Sequence, residues 1–273
     1  MIQSILIATD GSDAALAAER YGVALAARLK SRVTALSVIE ERISLGLRAD
    51  ALGIAPGPVG ATETFLKARA EAAVKRIADA ARAKDCECLA EASRGIADDR
   101  IVERAQSAQL IVLGRDGEHA QGRSVLIGST VDGVLRKTGK STLVVPAGAE
   151  LGGPVVLAFD GSPGSRVAAR MAVELAQRLG QGIHVFVDSK DKGRAAARFE
   201  EVRRLLGTAQ VPVRESNSTL GRPDVKVVET ARSARAGVIV MGAFGRNRIS
   251  EYFVGSNASA VVRSSPVAVL LAR

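Results

Sequence analysis

A glycine-rich segment that ends in a serine occurs twice in this chain, and its chemistry suits a phosphate group. In the second half, Gly242 and Gly245 are followed by nine residues and then by Gly255, Ser256 and Asn257. Glycine lets the backbone approach a ligand closely, and free N–H groups at a helix start attract negative charge. The segment therefore predicts a phosphate site, with an ordinary turn and a serine helix cap as the alternative.

The corresponding segment of the first half is one residue longer. It contains Gly114 and Gly117, followed by ten residues and then by Gly128, Ser129 and Thr130. The same stretch contains Arg115, His119 and Arg123, which could contact phosphates, and His119 could also act as a base. A solvated position is the alternative for each of these three side chains.

An aspartate precedes Gly-Ser at the end of the first apolar segment of each half. These residues are Asp10 and Asp160, and each is followed by a helix-like stretch. A carboxylate there could accept a hydrogen bond from an adenine amino group or a ribose hydroxyl, or it could cap the helix. Its recurrence in both halves favours the ligand site.

An internal repeat organises the whole chain. Residues 5–12 resemble residues 155–162, and residues 95–114 resemble residues 221–242. The order of the matching positions is kept, and the spacing changes only where a loop would change. This pattern indicates a duplicated domain.

Each half alternates apolar strands with helix-like segments. In the first half, strands are predicted near residues 3–9, 32–39, 87–93, 109–114 and 141–146. Helices are predicted near residues 13–30, 62–84, 97–107 and 128–138. Short apolar runs separated by helices are typical of a parallel, doubly wound α/β sheet, which binds ligands beyond the carboxyl ends of its strands.

The junction between the two copies is short. Segment 148–154 contains glycines and a proline, which break both helix and strand, and it predicts domains at 1–148 and 153–273. It is too short for a flexible tether, so the halves should touch. One long loop, residues 43–61, lacks a counterpart in the second half and is either a lid or contact surface or a tolerated insertion.

The charge of the chain is uneven. The formal net charge is +9, and residues 151–273 hold 18 Lys and Arg against 10 Asp and Glu. These basic residues are scattered and lack aromatic neighbours for base stacking, which favours a solvated face or a subunit contact over a nucleic-acid surface. No apolar run reaches the ~18–20 residues of a membrane span, and the first residues enter a strand rather than a signal peptide. With Cys86 and Cys88 interpreted as reduced thiols, a cytoplasmic protein is predicted.

The motifs of several enzyme classes are missing from the sequence. There is no phosphate loop with its lysine, no His-Glu-x-x-His, no Gly-x-Ser-x-Gly elbow and no Cys/His cluster. No nucleophile is paired with an evident base, so fast catalysis is not expected, and no catalytic or metal-binding residue is predicted.

The two strand-end aspartates and the two glycine-serine segments resemble the universal stress protein family, once per half and over nearly the whole chain. The resemblance implies an adenine-nucleotide α-hydrolase-like fold with five parallel strands per half in the order 3-2-1-4-5. It implies binding of ATP, ADP or AMP, with Mg²⁺ as a companion of the triphosphate. It adds Ala8, Thr9 and Val38 to the nucleotide contacts. The last strands, residues 141–146 and 267–271, would pair with each other, and a further homodimer contact would be compatible with the family.

Each half departs from the family pattern at one place. In the first half, ten residues instead of the family's nine separate Gly117 from Gly128. Family members hold an apolar residue against adenine at the end of the second strand, and Val38 occupies that place. The same count from Asp160 ends on Asp188, a charged residue. We expect an adenine-nucleotide-binding protein with a stress-response or regulatory role. The alternatives are a partner-binding module that uses the basic second half, and a slow ATPase or another ATP-using enzyme.

Overall fold

The computed structural model describes residues 2–40, 59–117, 128–207, 209–219, 221–243 and 255–273, with the backbone alone for residues 59–62. Of the loop predicted at 43–61, residues 59–61 belong to a helix, and the remainder lies outside the described residues. His119, Arg123 and Gly245 also lie outside the described residues.

Strands and helices alternate in the first half as the sequence pattern predicts. In chain order they are β1 (Ser4–Thr9), α1 (Leu16–Leu29), β2 (Arg32–Glu40), α2 (Val59–Arg82), β3 (Cys88–Gly95), α3 (Ala97–Arg104), β4 (Leu110–Gly114), α4 (Ser129–Lys137) and β5 (Ser141–Val145). Two short 3-10 turns, Asp13–Ala15 and Ala105–Ser107, flank α1 and α3.

The second half repeats this order. Its elements are β6 (Val155–Ala158), α5 (Pro163–Leu179), β7 (Ile183–Asp188), α6 (Lys192–Leu206), β8 (Val213–Ser218), α7 (Pro223–Ser233), β9 (Val238–Gly242), α8 (Ser256–Ser264) and β10 (Ala268–Ala272). Within the described residues, no helix is long and apolar enough to cross a membrane.

All ten strands form one sheet in the order β3-β2-β1-β4-β5-β10-β9-β6-β7-β8. Each half contributes five parallel strands in the order 3-2-1-4-5, so the predicted fold is confirmed. The halves meet at an antiparallel pair, β5 with β10, where Leu143 lies opposite Leu270. Because this pair is antiparallel, the carboxyl ends of the strands point to opposite edges of the sheet in the two halves.

Side chains alternate across the sheet and build one hydrophobic core on each face. Ile7 of β1 enters the first core and Ala8 enters the second core. In β7 the same division holds, with Val187 in the first core and Phe186 in the second. Since both cores include strands from both halves, the two halves pack as one unit.

Contacts outside the sheet also join the halves. The buried hydroxyl of Tyr21 in α1 donates to the Gly237 carbonyl at 3.1 Å, and burial raises the pKa of Tyr21 well above its ordinary value. The linker packs against the same place, because a Cβ on Gly153 or Gly237 would collide with backbone of the facing segment. The glycines of this junction therefore serve close packing as well as chain reversal.

Candidate functional site

The end of the first strand has the same turn in both halves. Asp10 Oδ1 accepts hydrogen bonds from Ser12 N at 2.9 Å and Ser12 Oγ at 2.6 Å, and Asp160 Oδ1 accepts from Ser162 N at 2.9 Å. The serines, not the aspartates, cap the helical turns that follow, since Ser12 Oγ and Ser162 Oγ each accept an N–H three residues later. One oxygen of each aspartate thus holds the turn at the carboxyl edge of the sheet.

Thr9 is fixed by a network that lies beneath this turn. Its hydroxyl donates to Glu19 Oε1 at 2.6 Å and accepts from Gly11 N at 3.0 Å. Glu19 is buried and is paired with Arg76 of α2, whose Nε and Nη2 each lie 2.7 Å from one of its oxygens. The network therefore links the strand-end turn to both α1 and α2 through hydrogen bonds.

The loops predicted to bind phosphate close in the same way in both halves. In the first half, Gly128 N donates to the Arg115 carbonyl at 3.2 Å. In the second half, Gly255 N donates to the Ala243 carbonyl at 3.0 Å. The hydrogen bond that fixes the two ends of the loop is therefore the same in both halves. The extra residue of the first loop lies between these ends and does not shift the start of the following helix.

Helices α4 and α8 both begin after a glycine N-cap residue. Gly128 precedes α4 with φ −56° and ψ 142°, and Gly255 precedes α8 with φ −56° and ψ 144°. A glycine at this position has no side chain with which to cap the helix. The backbone N–H groups of the first turn, at Ser129 and Thr130 or at Ser256 and Asn257, therefore donate no hydrogen bond to an N-cap side chain and lie at the positive end of a helix dipole. Such a start can bind an anion.

The structure brings the aspartate and the glycine loop of the first half together. A Cβ built on Gly117 would lie 3.6 Å from Asp10 Oδ2, and one built on Gly128 would lie 3.4 Å from the Arg115 carbonyl. Gly114 ends the adjacent strand β4. Ala8 is buried on the face of the second core, directly before this edge.

The guanidinium of Arg115 turns to the other half of the chain. Its Nη1 donates to the Ser265 carbonyl at 2.8 Å and to the Arg263 carbonyl at 3.2 Å, just after and within the last turn of α8. Its Nε and Nη2 pair with the Asp116 carboxylate. The sequence did not anticipate this contact, and a phosphate contact of Arg115 stays a prediction.

Arg273 makes the corresponding contact in the opposite direction. It follows β10, and its Nη2 donates to the Leu135 carbonyl in the last turn of α4. Burial lowers the pKa of Arg273 to about 10. The carboxyl ends of α4 and α8 are therefore each hydrogen-bonded by an arginine from the other half. A positive charge suits the negative end of a helix dipole.

The two predicted base positions differ in chemistry. Val38 in β2 packs against the second core and lies beside Ser93 of β3 in the strand register. Asp188 ends β7 and lies beside Ser218 of β8. Ser93 Oγ and Asp188 Oδ1 are both buried, and neither has a hydrogen-bond partner within the described part of the chain.

Sequence reasoning missed two charged residues near the strand-end turns. In the first half, a Cβ on Gly11 would lie 3.2 Å from Arg69 Cγ of α2. In the second half, a Cβ on Gly161 would lie 3.4 Å from Glu201 Oε2 of α6. Nothing in the local sequence distinguishes these residues from other charged positions of the two helices, since only the fold brings them to the edge.

Metal binding has no dedicated site among the residues that the structure describes. No group of three or more His, Cys, Asp or Glu side chains there could hold a metal ion. The described cysteines, Cys86 and Cys88, are free thiols, and burial raises the pKa of both.

Two repeats of a 3-2-1-4-5 parallel sheet, each with an aspartate after the first strand and a glycine-serine helix start after the fourth, define a tandem adenine-nucleotide α-hydrolase-like fold. The universal stress protein family model matches residues 1–146 and 153–273. The chain belongs to the universal stress protein family, in its tandem form.

Individual relatives agree with this assignment. A universal stress protein of Mycolicibacterium smegmatis is 32% identical over 191 residues, which cover 63% of this chain and 64% of that protein. The chain thus aligns with slightly less than two thirds of the length of this relative. A universal stress protein of Synechocystis sp. is 22% identical over 291 residues and the full length of both chains. The crystal structure of a universal stress protein from Archaeoglobus fulgidus has the same fold, with a TM-score of 0.78, 18% identity and coverage of 99% of this chain and 98% of that chain.

Proposed function

We propose that this chain is a stress-response or regulatory protein that binds adenine nucleotides, with ATP as the main ligand, at the carboxyl edges of its two half-sheets. The observation that carries the proposal is the repeated loop closure. The same backbone hydrogen bond, Gly128 to Arg115 and Gly255 to Ala243, positions a helix start whose N-cap residue is a glycine without a capping side chain. A helix start of this kind favours a phosphate group.

The proposal assigns a role to the main polar and apolar residues of each predicted site. The first-turn N–H groups of α4 and α8 bind phosphates, and Ser129 and Ser256 add hydroxyl donors. Asp10 and Asp160 accept from the ribose, and Val38 packs against adenine. Mg²⁺ would arrive with the triphosphate and keep most of its waters, since it needs few protein ligands in nucleotide sites.

The proposal includes little chemistry at the bound nucleotide. The one histidine among the described residues, His184, pairs with Ser216 Oγ at 2.9 Å across β7 and β8. Slow hydrolysis of ATP is the alternative, and ADP release under single-turnover conditions distinguishes it from pure binding. We also propose domains at 1–148 and 153–273, a cytoplasmic location and a homodimer as the assembly to look for.

Nucleotide released from the purified, denatured protein tests the proposal directly. We expect adenine nucleotide on the chain, and we expect Gly128→Glu and Gly255→Glu each to remove part of it by placing a carboxylate at a helix start. Gly139→Glu is the matched control, because a Cβ on this exposed glycine meets no atom within 4 Å. Absence of bound nucleotide, together with no calorimetric response to ATP and Mg²⁺, would refute the proposal and favour the partner-binding module.

A further inference from the structure

Two buried polar atoms without a partner among the described residues lie at or beside the predicted base positions, one in each half. Ser93 Oγ lies beside Val38 in the strand register, and Asp188 Oδ1 belongs to the residue that takes the place of Val38 in the second half. A buried polar atom without a hydrogen bond is costly, and natural proteins rarely keep one without a ligand or water to satisfy it. One such atom at the base position of the second half, and one beside the base position of the first half, point to the base as the missing partner.

Asp188 is positioned at the edge where the ligand is expected. It ends β7, which pairs with β6, and Asp160 follows β6 at the same edge. Since side chains alternate along a strand, Asp188 lies on the same face as Phe186, whose side chain enters the second core. Val38 lies on this face in the first half.

No cation within the described residues forms an ion pair with the Asp188 carboxylate. The nearby buried Arg198 donates from Nη1 to the backbone carbonyl of Asp188 at 2.9 Å. Its helix α6 packs against the first core through Ala195 and Val202, on the opposite face of the sheet. The carboxylate oxygen therefore faces the second core without a partner, and an ionised carboxylate can only accept hydrogen bonds.

We propose that the second half selects a guanine nucleotide, while the first half selects an adenine nucleotide; this rests on the proposed function of both edges as nucleotide sites. Guanine presents two donors side by side, N1–H and the N2 amino group, which can satisfy a carboxylate. Adenine presents the acceptor N1 beside its N6 amino group, so its edge would place a lone pair against Asp188. The Ser93 hydroxyl can both donate and accept, which suits the mixed edge of adenine.

Variants of the full chain in which only one of the two sites remains intact test this assignment. In the Gly128→Glu variant the second site remains, and we expect GDP to bind at least about tenfold more tightly than ADP, as one well-placed hydrogen-bonded pair discriminates between bases. Adding Asp188→Val should remove this preference, and adding Asp188→Asn should shift it toward ADP, because an amide can also donate. In the Gly255→Glu variant the first site remains, and ADP should be preferred. Calorimetric titration with each nucleotide gives the ratios, and circular dichroism verifies folding.

The outcomes separate this inference from the proposed function. If Gly128→Glu protein binds ADP as well as GDP, or binds neither while Gly255→Glu protein still binds ADP, the guanine assignment is wrong and the nucleotide function stands. An unchanged ratio of affinities after both Asp188 substitutions would also overturn it. If the unmodified chain binds no nucleotide of either class, both proposals fail together.

Discussion

Two glycines that hold the same place in the repeat should respond very differently to alanine. Gly242 ends β9, and a Cβ there would lie 2.8 Å from the Gly164 carbonyl carbon and 3.0 Å from Ser165 N. Gly114 ends β4, where a Cβ would meet Asp116 O at 3.5 Å and Ala15 Cα at 3.6 Å, which is ordinary contact. Neither glycine has a positive φ, so the backbone conformation itself does not oppose alanine.

The reason for the difference is the start of the following helix. In the second half, α5 begins directly at Pro163, and its first turn packs on the end of β9. In the first half, a 3-10 turn, Asp13–Ala15, separates the strand-end loop from α1. Gly242→Ala should therefore lower the free energy of unfolding by about 2 kcal/mol, the usual cost of an overpacked interior. Gly114→Ala should change it by less than about 1 kcal/mol, and in the stabilising direction, because alanine loses less chain entropy on folding.

Urea unfolding followed by circular dichroism measures both changes. Because both cores extend across the two halves, we expect a single transition whose midpoint falls for Gly242→Ala and stays or rises for Gly114→Ala. Equal losses for the two variants would refute the packing argument, because the contacts of the two added Cβ atoms differ. An unchanged midpoint for Gly242→Ala would have the same consequence.

Three further substitutions test two contacts between the halves and the effect of burying His184. Tyr21→Phe leaves the Gly237 carbonyl without its donor and should cost about 1 kcal/mol in urea unfolding, and no loss would contradict the role of this hydrogen bond. Arg115→Met keeps the side-chain stem but removes the donors to the end of α8; a loss of about 1–2 kcal/mol is expected, and a neutral result would show that the contact is not stabilising. Burial, and then the charge of Arg214, lower the pKa of His184. The unfolded chain therefore binds the proton more readily, so stability should fall as the pH drops below about 6.5, and His184→Gln should remove this part of the pH dependence. Parallel pH profiles of the free energy of unfolding for both proteins would contradict this reasoning.

The elements and their order could be predicted from the sequence because they depend on local patterns. The first strand was predicted near 3–9 and lies at Ser4–Thr9, and the helix predicted near 128–138 lies at Ser129–Lys137. The direction of a long side chain could not be predicted in this way. Arg115 has a place in the phosphate motif, and besides the adjacent Asp116 its partners are two carbonyls about 150 positions further along the chain, which no local pattern contains.

The pair of Glu19 and Arg76 shows the same limit at the candidate site. The two residues are 57 positions apart, and they meet only because α1 and α2 pack on the same face of the sheet. A charged residue on a helix usually faces solvent, so a buried carboxylate that holds Thr9 has no distinctive sequence signal. The strand-end aspartates could be found because duplication repeats them, and repetition is visible without a fold.

Duplication has left a constant backbone that carries different side chains. The anchors of the two loops have matching hydrogen bonds, and the glycines before α4 and α8 differ by only 2° in ψ. The side chains at corresponding positions differ in charge: Arg115 against Ala243, Val38 against Asp188, and Arg69 against Glu201 in the place over the strand-end turn. Under the proposed function, the backbone groups that favour phosphate are the same in both halves, so divergence should alter which nucleotide each half prefers and how each site contacts the other half. It should not alter whether a phosphate can bind, because that depends on the N–H groups at a helix start that both halves retain.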